Sequence, residues 1–396
     1  MEHDLINYRK YLKYKKKYLL LKTKISGGVD NTLSTEILSD YFIASSHNTY
    51  LEGDQLISKS NTICYKNFLE FFGGGCIELD LIKYNEDIDD VEIKHQYTLT
   101  SIIYLRGVLE IIKDFISKHP ESFIILSIDN KIKGKVLKKI YKIFEKVLDN
   151  YLYETKSTNY KINDIKGKVL LKWNKNIHDN SKTHFDKNNI ISDSNYKKTD
   201  FTEIIENNKI VNDKYRRTYP LWYNTFSNNY PFIPQLINGT QMVALNIQKP
   251  DLHMMLMRTF FKDNFYIKKP EWMRQINTDC CYIPIKTFNL IFNDKFKSIK
   301  LYKQNETEFI ESETNTFNIN LIKDFEFCYI ISTINNKLYH GVIIIKENKK
   351  SRLYKKTEKF NQMSCDWFMN LDNEENKNNY IDLSIVINNN IVEINI

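Results

Sequence analysis

The chain has 396 residues, is 42% hydrophobic and carries a formal net charge of +8. That length and apolar content exclude a disordered chain and leave room for two or three domains with large cores. The positive balance favours anionic partners, and no stretch approaches the roughly 18 apolar residues of a membrane span.

In chain order, a basic segment comes first. Tyr8, Tyr11, Leu12, Tyr14, Tyr18 and Leu19 recur near helical spacing among Arg9, Lys10, Lys13, Lys15, Lys16 and Lys17. The pattern predicts a helix suited to an anionic membrane surface, within an arm over residues 1–35. So charged an N-terminus predicts no signal peptide, hence an intracellular protein. From 36 to 172, short apolar strands near 41–46, 76–82, 91–95, 123–129 and 168–172 alternate with helical segments over 62–72, 101–117 and 134–151. Alternation of this kind predicts a β/α architecture, whose chemistry would sit at the C-terminal strand ends of a barrel. Residues 173–198 are polar and read as a linker or long loop. Residues 242–247 read as a buried strand. Beyond about 278 the pattern changes to strands near 284–291, 296–302, 326–333, 338–346 and 381–388, which predicts an all-β C-terminal domain.

The six cysteines, Cys64, Cys76, Cys280, Cys281, Cys328 and Cys365, form no CxxC pair and no zinc-spaced cluster with histidine. Reduced structural thiols are expected. The chemistry lies instead at the strand ends. One apolar run leads into Ser45-Ser46-His47-Asn48, and the next contains Glu78-Leu79-Asp80, two carboxylates on one strand face. His95 follows a third run and Asp129 lies at the end of a fourth. Asn48, Glu78, Asp80 and Asp129 form an oxygen set suited to calcium, with magnesium left open. His47 and His95 are then free for acid–base work on a phosphate ester. A lone histidine or Glu-x-Asp pair is ordinarily structural or solvated; the joint placement carries the reading.

These segments resemble the eukaryotic phosphoinositide-specific phospholipase C family. The resemblance runs through Ala44-Ser45-Ser46-His47-Asn48-Thr49-Tyr50, Gly53-Asp54-Gln55-Leu56, Cys76-Ile77-Glu78-Leu79-Asp80, Thr98-Leu99-Thr100 and Ile125-Leu126-Ser127-Ile128-Asp129-Asn130. It continues through Lys168-Val169-Leu170-Leu171-Lys172, Arg217-Thr218-Tyr219-Pro220, Asn238-Gly239-Thr240-Gln241-Met242-Val243-Ala244-Leu245-Asn246 and Ile267-Lys268-Lys269-Pro270. The order is that of the family over about residues 36–275.

The resemblance implies an α/β fold, a distorted (β/α)8 TIM-type barrel split into an X half over 36–175 and a Y half over 200–277. A polar linker over 176–199 would join them, and a β-rich domain over 278–396, resembling a C2-like sandwich, would follow. It implies a calcium-dependent phospholipase that cleaves phosphatidylinositol and its phosphates to diacylglycerol and inositol phosphate. The inositol 2-hydroxyl would attack, and a cyclic phosphodiester would form and then be opened by water. By similarity Asn48, Glu78, Asp80 and Asp129 would hold Ca2+, and Glu78 would serve as base. His47 would stabilise the pentacoordinate phosphorus and His95 would protonate the leaving oxygen. Lys172 and Arg217 would contact ring phosphates, and Tyr219 would pack on the sugar ring. The expected partners are a phosphoinositide headgroup and an anionic membrane surface, with peripheral membrane association from the cytoplasm. A monomer is expected, without nucleic acid and with no regulatory protein identifiable. The alternative is a phosphoinositide-binding protein with an inactive barrel. The AT-rich residue usage and reduced domain set point to a protist or a giant virus, and thus to host cytoplasm or virion.

The chain departs from the family at Asp129, where a glutamate is usual, and at Asn174, where a second lysine is usual. Asp200 stands near the position of a phosphate-binding serine. These changes leave the transphosphorylation residues in place and bear on the preferred phosphorylation state.

Overall fold

A computed structural model describes residues 36–396, apart from 154–159, 174–189, 194–214, 221–226, 275–283, 304–308, 347–348, 350, 358–361 and 373–378. The basic arm, Asn174, Asp200, Cys280 and Cys281 lie outside the described residues.

The first half is a curled sheet with helices outside it. Its parallel strands are β2 (Ser45–Ser46), β3 (Gly75–Asn85), β6 (Phe123–Asn130), β7 (Lys168–Trp173), β8 (Ile190–Asp193), β9 (Tyr215–Thr218) and β10 (Met242–Leu245). The ladder runs from β7 through β6, β3, β2, β10 and β9 to β8, every pairing parallel. Among the described residues no ladder joins β7 to β8. Two short strands, β4 (Asp90–Ile93) and β5 (Ile103–Tyr104), extend β3 antiparallel on one side. Another pair, β1 (Tyr41–Ile43) with β11 (Tyr266–Lys268), stands apart from the main ladder.

The strands read as continuous apolar runs because both their faces are covered. In β6, Phe123, Ile124, Ile125 and Leu126 are all fully buried. Three helices cover the outside of the X half: α1 (Ile63–Phe72), α2 (Leu105–Lys118) and α3 (Val136–Leu148). In α2, Leu105, Val108, Leu109, Ile112, Phe115 and Ile116 are buried, the spacing of one helix face. Gly73 ends α1 in the left-handed conformation that caps helices, with φ 86°. Gly75 then lets β3 start against β2, because a Cβ there would stand 2.5 Å from the Ala44 carbonyl oxygen.

Two local expectations are corrected. The helix predicted from 101 begins at Leu105, because Ile103 and Tyr104 pair with Ile93 and Glu92 of β4. Strand β8 lies inside the segment read as a linker, and pairs with β9. Two isoleucines between polar neighbours are too short a run to show periodicity.

The second half is a nine-stranded sheet: β12 (Ile285–Phe292), β13 (Phe296–Tyr302), β14 (Phe309–Ile310), β15 (Thr316–Ile322), β16 (Phe327–Ile334), β17 (Lys337–Ile344), β18 (Ser351–Lys355), β19 (Tyr380–Asn388) and β20 (Ile391–Asn395). The pairings are antiparallel except for β12 with β20. Alternate residues such as Phe317, Ile319 and Leu321 point into a core of its own, with Leu290, Ile330 and Val392.

The two halves are packed into one compact unit over Ile37–Ile396. The contact centres on α5 (Leu252–Phe260), which follows α4 (Phe232–Ile237) and β10. Arg258 on α5 is 2% exposed. Its guanidinium donates to the Phe368 carbonyl at 2.8 Å, to the Tyr354 hydroxyl at 3.2 Å and to Asp372 at 2.7 Å. Phe260 stacks on Phe325, and the Trp367 indole donates to the Ile247 carbonyl at 2.6 Å. A buried guanidinium needs all of its donors matched, so this junction holds the halves in one orientation.

Candidate active site

The predicted residues gather at one end of the curled sheet, most of them at or just past the C-terminal ends of its strands, with Glu78 and Asp80 within β3. His47 and Asn48 follow β2, Glu78 and Asp80 lie on β3, and His95 follows β4. Asp129 lies near the end of β6, Lys172 on β7, Arg217 on β9 and Tyr219 just past it. Parallel pairing of β3 with β6 puts Asp80 directly opposite Asp129. Asn48 adopts φ 45°, a left-handed turn that asparagine tolerates, and its backbone N–H donates to Glu78 Oε2 at 2.8 Å. The Tyr50 hydroxyl donates to Asp80 Oδ2 at 2.5 Å and lies 3.3 Å from Asn48 Oδ1.

Glu78 is the hub. Its Oε1 is 3.2 Å from Arg217 Nη1, and its Oε2 is 3.8 Å from His47 Nε2. Burial alone would raise its pKa. Arg217, then His47, the Asn48 N–H and Lys172 outweigh burial and hold the carboxyl below the usual range. Asp80 goes the other way: burial, then Glu78 and Asp129, push it well up. Lys172, 5% exposed, donates to Ser127 Oγ at 3.2 Å. Burial and the neighbouring Arg217 lower its pKa to about 8. At 1% exposure Arg217 also donates to the Ser46 carbonyl at 3.1 Å, and its guanidinium lies 5.4 Å from the Tyr219 ring centroid. As placed, Lys172 and Arg217 set the charge of the site from within.

The two imidazoles are oriented by residues that the sequence reading missed. His47 Nδ1 donates to Asn246 Oδ1 at 3.0 Å, and the ring lies parallel to Tyr219 with centroids 6.0 Å apart. Asn246 Nδ2 donates to the Ser227 carbonyl at 3.2 Å, so its oxygen faces the imidazole. The same oxygen accepts from Gln55 Nε2 at 3.4 Å, and the Gln55 carbonyl accepts from His95 Nδ1 at 3.0 Å. Both rings therefore carry their proton on Nδ1 when neutral and leave Nε2 for chemistry. Burial lowers both pKa values; Glu78 opposes the shift at His47, and the charge of His47 adds to it at His95. Asn246 and Gln55 stood inside quoted motifs, but nothing in their spacing tied them to the histidines.

Asn48, Glu78, Asp80 and Asp129 offer hard oxygen donors, and the raised pKa of Asp80 marks crowded negative charge that a cation would relieve. In donor chemistry and charge the set fits calcium. Among the described residues no three His, Cys, Asp or Glu side chains already close around one point.

Beside the histidines runs an apolar rim. Tyr97 is 95% exposed, Leu99 83% and Ile57 69%, with Leu56 beside Ile57 and Ile102 three residues beyond Leu99. A bond from Leu99 N to the Leu56 carbonyl at 2.8 Å ties the two rim loops together.

Comparison with known proteins follows the same residues. The family description "Phosphatidylinositol-specific phospholipase C, X domain" matches residues 34–175, and the corresponding Y domain matches 169–272. The gamma-type 1-phosphatidylinositol 4,5-bisphosphate phosphodiesterase of Caenorhabditis elegans is 40% identical over 120 residues, 29% of this chain and 9% of that protein. The eta-2 enzyme of Homo sapiens is 36% identical over 147 residues, 36% of this chain and 10% of that protein. The matched segments are thus a tenth or less of those longer proteins. In fold, the chain is similar to the crystal structure of L. pealei PLC21, with TM-score 0.61 and 18% identity over 84% of this chain and 55% of that one. S. officinalis PLC21 gives TM-score 0.59 and 20% identity over the same shares of 84% and 55%. No helix among the described residues is long and apolar enough to cross a membrane.

Proposed function

Because the chain is an X/Y-domain protein of the phosphatidylinositol-specific phospholipase C type, homologous to eukaryotic isoforms, we propose that it cleaves phosphoinositides at a membrane surface. One observation carries the reading: two imidazoles, each anchored through Nδ1 and linked through Gln55 and Asn246, with a buried carboxylate beside His47 that a buried arginine keeps ionised.

Glu78, held as a carboxylate, accepts the proton of the attacking 2-hydroxyl. His47 turns Nε2 toward Glu78. Burial keeps its ring neutral in the free protein, and an arriving phosphodiester anion favours the imidazolium that faces the developing charge. His95 enters as the imidazolium, drawn to that form by the phosphodiester anion against the effect of burial and His47, and gives its Nε2 proton to the departing diacylglycerol oxygen. It then takes one from the water that opens the cyclic phosphodiester, while Glu78 returns its proton to the departing 2-oxygen. Tyr219 packs on the inositol ring, and Lys172 and Arg217 hold the site attractive to ring phosphates. Calcium, held by Asn48, Glu78, Asp80 and Asp129, would supply charge neutralisation at the phosphate and acidify the 2-hydroxyl.

The test is product release from vesicles of phosphatidylinositol and its mono- and bisphosphates. Calcium should support release of cyclic and acyclic inositol phosphates. Chelation should lower release by about 100-fold or more, since a bound cation contributes several kcal/mol to the transition state. Headgroup binding without release at any calcium concentration would select the non-catalytic alternative.

The rim of Ile57, Tyr97 and Leu99 is proposed to enter the bilayer, with the net charge of +8 drawing the protein to anionic lipid. Ile57→Asp with Leu99→Asp should lower activity on vesicles at least about tenfold, since each such side chain contributes roughly 1.5–3 kcal/mol on burial. Hydrolysis of soluble inositol cyclic phosphate should stay within about twofold, because both residues are largely exposed and a soluble substrate gains nothing from bilayer contact. An equal fall on both substrates would remove the rim from membrane contact. The second half is proposed to be C2-like. Its support is that the PLC21 likeness covers 84% of the chain, more than the 34–272 matched by the X and Y domains.

A further inference from the structure

Lys131 follows Asp129 by two residues, and its Nζ lies 2.8 Å from Asp129 Oδ2, each side chain being 38% exposed. The lysine is held there by its backbone. Its N–H donates to the Leu81 carbonyl at 2.9 Å, which pins the loop to β3 one residue beyond Asp80. The Asn130 side chain donates to the Ile132 carbonyl at 2.9 Å and accepts from the Ile132 N–H at 3.1 Å, closing a tight turn around Lys131. The three carboxylates of the site are thus already met by groups of the chain itself: Glu78 by Arg217 at 3.2 Å, Asp129 by Lys131 and Asp80 by the Tyr50 hydroxyl at 2.5 Å.

A divalent cation drawn to this cluster meets Lys131 on the carboxylate it would share. Two cations on one carboxylate repel strongly, and Lys131, unlike Arg217, is exposed enough to leave. Asp129 also has a stem one methylene shorter than a glutamate, which keeps its oxygens closer to the loop that carries Lys131. We propose that Lys131 is an internal counter-ion that competes with calcium for Asp129, so that the cation binds only as the ammonium swings out to solvent. This rests on the calcium reading above. It assigns the lysine a role in setting cation affinity, and no part in the proton transfers.

The test is calorimetric titration of the 396-residue chain with Ca2+ in the absence of lipid, where turnover plays no part. Lys131→Met should bind Ca2+ roughly three- to tenfold more tightly than the wild type, the range for removing a partly screened charge beside the site. Lys131→Arg should stay within about twofold of the wild type. Lys133→Met, which removes an exposed charge two residues on, should change affinity less than Lys131→Met does. In an Asp129→Asn background the gain from Lys131→Met should vanish, since the two residues act as a pair. Equal affinity of Lys131→Met and wild type, or a gain that survives Asp129→Asn, overturns the proposal and leaves the calcium reading standing. Absence of calcium binding in both proteins overturns the two together.

Discussion

Replacing His47 with alanine should lower inositol-phosphate release by about 10²–10⁴-fold, the weight of one positioned acid–base group. His95→Ala should fall in the same range. The two losses should differ in kind. His47 lies against Tyr219 and against Glu78, the proposed base for the attacking hydroxyl. His95 hangs from the Gln55 carbonyl, next to the exposed Leu56 and Ile57, and in the proposed mechanism it serves the leaving lipid. A substrate with a leaving group more acidic than an alcohol should therefore restore activity to His95→Ala and not to His47→Ala. Both histidines are partly exposed at the mouth, so unchanged circular dichroism is expected for each variant. Wild-type release from either folded variant would remove that residue from the chemistry.

The second large effect is on stability. Arg217 and Glu78 form a buried ion pair, with side chains 1% and 8% exposed. Arg217→Met leaves Glu78 as a buried carboxylate facing Asp80, and should cost about 3–5 kcal/mol at neutral pH by denaturant unfolding. The pH dependence has a definite sign. Glu78 has its folded pKa depressed, chiefly by Arg217 working against burial. Its contribution is therefore present above the unfolded pKa and lost as pH falls through the folded value. The deficit of Arg217→Met should be largest at neutral pH and shrink in acid, where Glu78 takes up a proton. Adding Glu78→Gln should recover part of the loss at neutral pH, because no lone charge then stays buried. A deficit that is flat with pH would mean that Arg217 stabilises by packing alone.

Several elements were hidden from sequence reasoning for identifiable reasons. Strand β15 alternates Phe317, Ile319 and Leu321 with Asn318 and Asn320, residues of low strand propensity that mask the period. Strand β20 is five residues long and is separated from β19 only by Asn389 and Asn390, so Ile391, Val392 and Ile394 are too short a run to show a period of their own. The helix start at Leu105 was obscured because Ile103 and Tyr104 fit either a helix face or a strand.

The sequence by itself determined the chemistry available: oxygen donors and two imidazoles placed at successive strand ends, with Lys172 and Arg217 in the matched motifs. Residue type and strand periodicity are local properties, so they are legible without the fold. It also determined the β/α order of the first half and the β character of the second, through runs whose period is set by which faces are covered. Only the tertiary structure decided which groups restrain one another. Asn246 reaches His47 across 199 residues, and Arg258 locks to Asp372 across 114. Lys131 reached Asp129 through a turn that no periodicity announces. The carboxylates show the same division. Glu78 and Asp80 lie two residues apart on one strand, yet Glu78 stays ionised and Asp80 is pushed toward neutrality. Glu78 has Arg217, His47 and Lys172 acting on it, whereas Asp80 has Glu78 and Asp129; charges placed by separate strands in a low-dielectric site are what a chain read one residue at a time leaves open.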